Sequence, residues 1–343
     1  MSNQQWQQFL SGAGARFDGA GASFGDRLAA VRLALEGDVL VDLSHEGLIA
    51  VRGADAPGFL QNLLTTDIPR VSEHRSQLSA WCTPKGRVLA LFRVIYRDDA
   101  FYLQLPGDLL ERTLSRLRMY VLRAKVGLED ASDELVRIGL SGSTVAAGLR
   151  RALGACPERV DDVMQSGSLT LVRLPGPRPR LHALGPPEAV QPLWRALARD
   201  ACPAGPEAWA LLDILAGVPT VTHGTADAFL PQMLNLQALG GVSFTKGCYP
   251  GQEIVARTHH LGTLKRRLYL ARAETDVAPE PGDPVYARGA EGTAGTVVNA
   301  QRHASGGVVL LVVVQISAAE TEELRLADAS GPLLRLQPLP YEV

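Results

Sequence analysis

The sequence predicts an α+β fold that ends in a small all-β barrel or sandwich, and three observations carry that prediction. Strand-like runs at 77–82, 87–96 and 100–105, separated by Thr-Pro-Lys-Gly and Arg-Asp-Asp, have the form of an antiparallel meander. Strand-like and helix-like segments alternate between residues 38 and 205. From Leu264 onward the pattern changes to short strands at regular spacing with Gly-rich turns. The 343 residues exceed the roughly 100 to 200 of one ordinary domain, so more than one core is expected.

Residues 1–37 are rich in Gly, Ala and Ser with weak periodicity, which predicts a loosely attached arm with one short helix over 26–35. Order is expected from Asp38. Residues 39–43 and 48–51 read as strands; Asp55 then offers an N-cap, Pro57 falls in the first turn, and Phe59, Leu60, Leu63 and Leu64 form an apolar helical face. After the meander, residues 108–123 predict an amphipathic helix carrying Leu109, Leu110, Leu114, Leu117 and Val121. A second set follows, with strands at 135–140 and 169–174, helices at 143–153 and 188–199, and a Pro-rich turn at 174–179. Residues 206–216 read as a helix holding Trp209 and Asp213. The tail strands are expected at 267–271, 284–288, 295–299, 308–316, 324–326 and 333–336. The organisation is therefore an arm (1–37), a first α+β domain (38–133), a second (134–205), a return segment (206–263) and a β tail (264–343).

With 46% hydrophobic, 20% charged and 6% aromatic residues, the composition excludes a disordered or collagen-like chain. Lys+Arg 34 against Asp+Glu 36 is too balanced for a nucleic-acid coat, so charge has to be read locally. The longest apolar run, 308–314, suits a buried strand and falls short of the roughly 18 to 20 residues of a membrane helix. The first 26 residues lack a charged region followed by an apolar core, and Cys82, Cys156, Cys202 and Cys248 form no Cys-x-x-Cys pair; a cytoplasmic protein without a metal site or disulfides is expected. Only Lys85, Lys125, Lys246 and Lys265 are lysine, which makes each a residue to inspect.

The informative stretch is Lys246-Gly-Cys248-Tyr249-Pro-Gly251-Gln252-Glu253, followed by Arg257, His259, His260 and Gly262. Glycines at 247 and 251 let the backbone bend sharply, and Gln252-Glu253 can open a helix whose positive end faces Cys248. A thiol there, beside Lys246, has two reasons to ionise, so Cys248 and Lys246 are the candidate reactive pair. Between 246 and 272 the charges are Lys246, Arg257, Lys265, Arg266, Arg267 and Arg272 against Glu253, or +6 − 1 = +5, which suits an anionic partner. Adjacent histidines at 259 and 260 point to different faces of a helix and are expected at the surface.

This segment resembles the signature of the YgfZ family of folate-binding proteins, Lys-Gly-Cys-Tyr/Phe-x-Gly-Gln-Glu with a following arginine and glycine. Every motif position is met, by Lys246, Gly247, Cys248, Tyr249, Gly251, Gln252, Glu253, Arg257 and Gly262. Further landmarks are Leu43-Ser-His-Glu-Gly-Leu-Ile-Ala-Val-Arg-Gly, Phe59 to Asp67, Pro84-Lys85-Gly86-Arg87, and the stretch from Trp209 through Asp213 to Gly217. The resemblance implies the fold of the glycine-cleavage T-protein: interlocked antiparallel α+β domains around a central folate channel, completed by segment 206–263, with a C-terminal β-barrel. It also implies a role in maturation or repair of iron–sulfur enzymes, including radical enzymes that modify tRNA, with tetrahydrofolate or a folate derivative as cofactor. Iron–sulfur enzymes or assembly proteins are then the partners, and neither a membrane nor stable nucleic-acid binding is expected.

In that frame Trp209 would lie against the flat pterin, Asp213 would bond its edge, and Lys85 would attract the glutamate tail. Tyr249, Gln252, Glu253 and Arg257 are further folate-binding candidates, while a second family tryptophan is replaced at about Glu46. T-proteins carry an Asp-Asp pair on the strand after the Pro-Lys-Gly turn. Ala90 and Leu91 stand there, so a functional aminomethyltransferase is not expected, although it is the alternative reading. One cysteine cannot complete a four-cysteine cluster site, so Cys248 alone would not hold a stable cluster.

Overall fold

The computed structural model describes residues 2–18, 21–260, 262, 264–289, 292–321 and 323–343; the boundary expected at 263 lies outside them. The chain divides into two compact units, Met1–Ala56 with Pro69–Gln77 and Arg93–Leu212, and Pro57–Ile68 with Leu78–Phe92 and Asp213–Val343.

The first unit is built on a six-stranded sheet in the order Val163–Ser166, Leu169–Leu174, Arg180–Gly185, Val136–Ser141, Val39–Asp42, Cys202–Ala204. All its pairs are antiparallel except the last, where Cys202–Ala204 runs parallel to Val39–Asp42. Helices Ser143–Leu153 and Pro187–Leu197 cover it through Val145, Leu149, Val190 and Trp194. The same unit pairs residues 93–97 of strand Val88–Arg97 with Ala100–Pro106, followed by Glu46–Arg52 and Gly127–Asp130 in that order, with Arg93 opposite Gln104 and Arg97 opposite Ala100.

Two expectations change here. The N-terminal 37 residues are not a loose arm: helix Ser2–Gly12 puts Trp6 and Leu10 into the core at 0% exposure. Trp6 meets Trp194 edge-on at 5.6 Å and donates from Nε1 to Asp42 Oδ1 at 2.8 Å. A spacing of four places both side chains on one helical face, a signal too short to rise above the surrounding Gly and Ala. The helix expected to reach 123 stops earlier, at Gly107–Arg118. Tyr120 and Val121 donate three residues back, to Leu117 and Arg118, which tightens the chain out of the helix, and Leu122 is left at φ 45.

The second unit holds the hairpin that joins Gln77–Cys82 to Val88–Arg97, the helix Ala56–Gln61 with the turn after it, and the C-terminal sheet. That sheet is antiparallel and curled into a half-barrel, in the order Leu324–Leu326, Pro284–Ala287, Thr293–Arg302, Val308–Gln315, Arg266–Ala273, Leu334–Gln337. A bridge between Arg325 and Leu333 links the ends of its two edge strands. The apolar run at 308–314 is its central strand and is buried on both faces. No helix among the described residues is long and apolar enough to cross a membrane.

Candidate functional site

Within the second unit the glycine-rich segment is tied down before its chemistry begins. Ser243 N donates to Thr65 O at 2.8 Å, and Thr65 Oγ1 donates to Gly241 O at 2.7 Å. Lys246 then turns inward. Its Nζ donates to the carbonyls of Gln61 (2.6 Å), Leu64 (2.6 Å) and Thr66 (2.8 Å) and lies 5.4 Å from the centre of the Tyr249 ring. These carbonyls belong to the end of helix Ala56–Gln61 and the turn after it, where the helix ladder leaves acceptors open. An ammonium has three donors, and all three are engaged. Burial lowers the Lys246 pKa to about 8, with the Asp67 charge acting the other way. Gln61 shapes the same turn with its side chain, donating to Asp67 Oδ1 at 2.9 Å and accepting from Ile68 N at 2.8 Å.

Tyr249 is buried, and its hydroxyl has no hydrogen-bond partner among the described residues. Burial, and then the charge of Cys82, raise its pKa far above the ordinary phenol value. Cys82 is buried too, which pushes its thiol up to about 12. Next comes the closest backbone approach of the site. Gly251 has φ +83, and a Cβ on it would lie 2.4 Å from Thr83 O and 2.6 Å from Gly86 Cα. The Pro84-Lys85-Gly86-Arg87 turn and the Cys248 loop thus pack backbone to backbone, which only glycine permits. Helix Gln252–His260 starts there, and Gln252 Nε2 reaches back to the carbonyls of Lys246 and Gly247 at 3.4 Å each.

Cys248 sits exposed on the loop between these anchors, and Lys85 is exposed at the tip of the neighbouring turn. Glu253 and Arg257 are exposed on the helix. His259 stacks on Phe244 at 3.8 Å and His260 meets the same ring edge-on at 6.0 Å, both at the surface as expected. The +5 segment is not one exposed field. Lys246 is seated on carbonyls, Arg272 donates to Ser305 Oγ and Gly306 O, and Arg267 lies 5.0 Å over the Tyr269 ring. Arg257 and Lys265 are its exposed members.

The first unit holds the aromatic candidate. Trp209, on helix Pro206–Leu215, is 2% exposed among Val39, Val41, Val172 and Leu184. Gly139 makes room for it, since a Cβ there would come within 2.6 Å of the indole. The Arg180 guanidinium lies 4.5 Å over the ring while donating to Pro175 O and Leu212 O at 3.1 Å each. The same helix continues to the half-buried Asp213.

His182, which sequence reasoning missed, lies 5.3 Å from Trp209 with both ring nitrogens buried and without a hydrogen-bond partner among the described residues. Burial, followed by Arg93, Arg180 and Arg137, holds its pKa well below the usual imidazole value. Strand alternation was the available signal, because residues 180 and 182 share a sheet face. The Glu46 side chain accepts from Gln104 Nε2, and its carbonyl accepts from Arg137 Nη2 at 2.9 Å. Ala90 and Leu91 are buried in strand Val88–Arg97. Among the described residues no group of three or more His, Cys, Asp or Glu side chains is placed to hold a metal ion.

Residues 22–160 match the GCVT N-terminal domain family. A solved glycine cleavage system aminomethyltransferase T from Bartonella henselae superposes with a TM-score of 0.76, covering 98% of this chain and 96% of its own at 17% identity, which establishes a shared fold. Proteins called tRNA-modifying protein YgfZ match over most of their length. The one from Edwardsiella ictaluri is 33% identical over 85% of this chain and 89% of its own, and that from Colwellia psychrerythraea 32% over 88% and 93%. That from Yersinia pestis is 33% identical over 89% and 92%. On this identity and coverage, the chain belongs to the YgfZ family.

Proposed function

We propose that this chain is a tetrahydrofolate-binding accessory protein that supports assembly or repair of iron–sulfur enzymes in the cytoplasm, including radical enzymes that modify tRNA. The observation that carries the reading is the complete Lys246 to Glu253 motif held with Cys248 exposed, in a chain whose relatives are called tRNA-modifying proteins. Cys248 is the reactive thiol of this reading, and iron–sulfur enzymes or their assembly proteins are its partners.

The chemistry of the side chains around Trp209 supports the folate reading. An indole beside an imidazole with two unpartnered ring nitrogens suits a flat heterocycle whose edge carries both donors and acceptors, and neutral His182 can give one of each. Arg180 lies over one face of the indole, so a pterin on that face requires the guanidinium to shift. Bound tetrahydrofolate would supply one-carbon carrier chemistry; Trp209 and His182 would bind and orient it. The fold likeness favours a second reading, glycine-cleavage aminomethyltransfer. Ala90 and Leu91 oppose it, because neither side chain can hold a proton or stabilise developing positive charge.

Titration calorimetry with tetrahydrofolate on the folded chain tests the proposal. Saturable binding is expected, with affinity at least tenfold weaker in Trp209→Phe; no saturation at millimolar ligand overturns the folate reading. Methylene transfer from an aminomethyl-lipoyl carrier at an enzyme-like rate would favour the second reading instead.

A further inference from the structure

We propose that Lys246 serves the Cys248 thiol through the backbone, as a positioning residue that seats the Cys248 loop on the carbonyls of Gln61, Leu64 and Thr66. The geometry argues against the simpler idea of a cation that activates the thiol directly. Three acceptors 2.6 to 2.8 Å from one nitrogen use every proton an ammonium carries. The acceptors lie 180 to 185 residues away along the chain, so each bond pins the loop to a distant element. The loop is held at two more places, by Ser243 N on Thr65 O and by Gly251 against Gly86, while Gln252 closes it from the helix side. Between these anchors Gly247 and Cys248 are exposed, and a Cβ on Gly247 would meet nothing within 4 Å. The arrangement is a rigid frame around a short exposed tip, and Lys246 is the frame's inner bolt. The seat stands whether or not folate is the ligand; only the rescue measurement below rests on the proposed function.

Lys246→Met keeps the stem and removes the donors and the charge. Amide exchange across 243–251 is expected to rise at least tenfold, while the pH midpoint for iodoacetamide labelling of Cys248 stays where it is in the wild type. An upward move of that midpoint by half a unit or more, with exchange unchanged, overturns the proposal in favour of direct activation. Lys246→Arg provides the second arm. A planar fork cannot aim three bonds from one nitrogen, so the proposal expects no recovery of protection, whereas a purely electrostatic role expects arginine to restore the labelling midpoint. Rescue of iron–sulfur enzyme activity in a deletion strain, normalised to folded protein, should fall in both variants; rescue that merely tracks the folded fraction would mean a stability role and overturn the proposal. If the variants fail to fold, the wild-type chain still decides. NMR couplings from the Lys246 Nζ to the carbonyl carbons of 61, 64 and 66 are expected, and a freely rotating, rapidly exchanging ammonium overturns the seat. Full rescue by Cys248→Ala would defeat the functional reading alone and leave the coupling and exchange results standing.

Discussion

Around Trp209 the chain buries charge and leaves ring nitrogens unpartnered, whereas around Cys248 it exposes the thiol and buries the support. In the first region Arg93, Arg137, Arg180 and His182 are all at most 8% exposed, and the arginines answer mainly to backbone carbonyls and Asp161. A buried polar group without a partner persists only where the surrounding structure over-determines it. In the second region every strong contact belongs to a neighbour of Cys248, and the cysteine itself is exposed. Under the proposed function, the difference separates two kinds of mutation: changes near Trp209 should act on ligand affinity, and changes near Cys248 on presentation of the thiol.

The largest effect should come from adding one carbon to the frame. Gly251→Ala forces a Cβ to within 2.4 Å of Thr83 O at φ +83, where an L residue is already disfavoured. Left-handed strain of about 1 to 2 kcal/mol and overpacking of about 1 to 3 kcal/mol together predict a loss near 3 kcal/mol in urea unfolding. Gly247→Ala, with open space around its Cβ, should stay within about 0.5 kcal/mol. Equal stabilities for the two variants would show that the loop is not packed against the Gly86 turn.

Much of this frame was hidden in the sequence, for physical reasons that differ from residue to residue. The tail strands were legible because alternation and Gly-rich turns are local signals; 324–326 was read with its observed bounds, and 308–316 overshot by one residue. Helix Ser143–Leu153 was legible because a full amphipathic period fits between Gly142 and Gly154. Trp6 was not, since its helix has only three large apolar residues, Trp6, Phe9 and Leu10, next to a Gly- and Ala-rich stretch. Gly251 and Gly86 were each readable as turn residues, but their contact was not, because it joins positions 165 apart (251 − 86). The motif identified Lys246 as important, yet the direction of its side chain depends on carbonyls near residue 64 that no local pattern mentions.

His182 gives a pH test of the first region. The native imidazole is held neutral by burial and by three arginines, while the unfolded chain takes up a proton below about pH 6.5. The unfolded state therefore binds more protons as pH falls through that range, so stability drops on acidification by about 1.4 kcal/mol per pH unit. His182→Leu should remove this slope between pH 6 and 5 and leave the neutral-pH melting temperature little changed. An unaltered slope in the variant would mean that the imidazole is charged or solvated in the native state.

The smallest effect on stability, and the sharpest on function, belongs to Cys248. An exposed side chain in a polar loop contributes little packing, so Cys248→Ala should shift unfolding by no more than about 0.5 kcal/mol. Cys82→Ala, in contrast, removes a 2% exposed side chain from the core and should destabilise measurably. Labelling has to allow for a second exposed cysteine. Cys202 is exposed, as Cys248 is, while Cys82 and Cys156 are buried. Mass spectrometry of the native chain should therefore find two alkylated sites, and Cys202→Ala should leave rescue of iron–sulfur enzymes intact where Cys248→Ala abolishes it. If Cys248→Ala folds, binds tetrahydrofolate and rescues fully, the exposed tip has no chemical duty, and the frame built around it must serve contact with a partner instead.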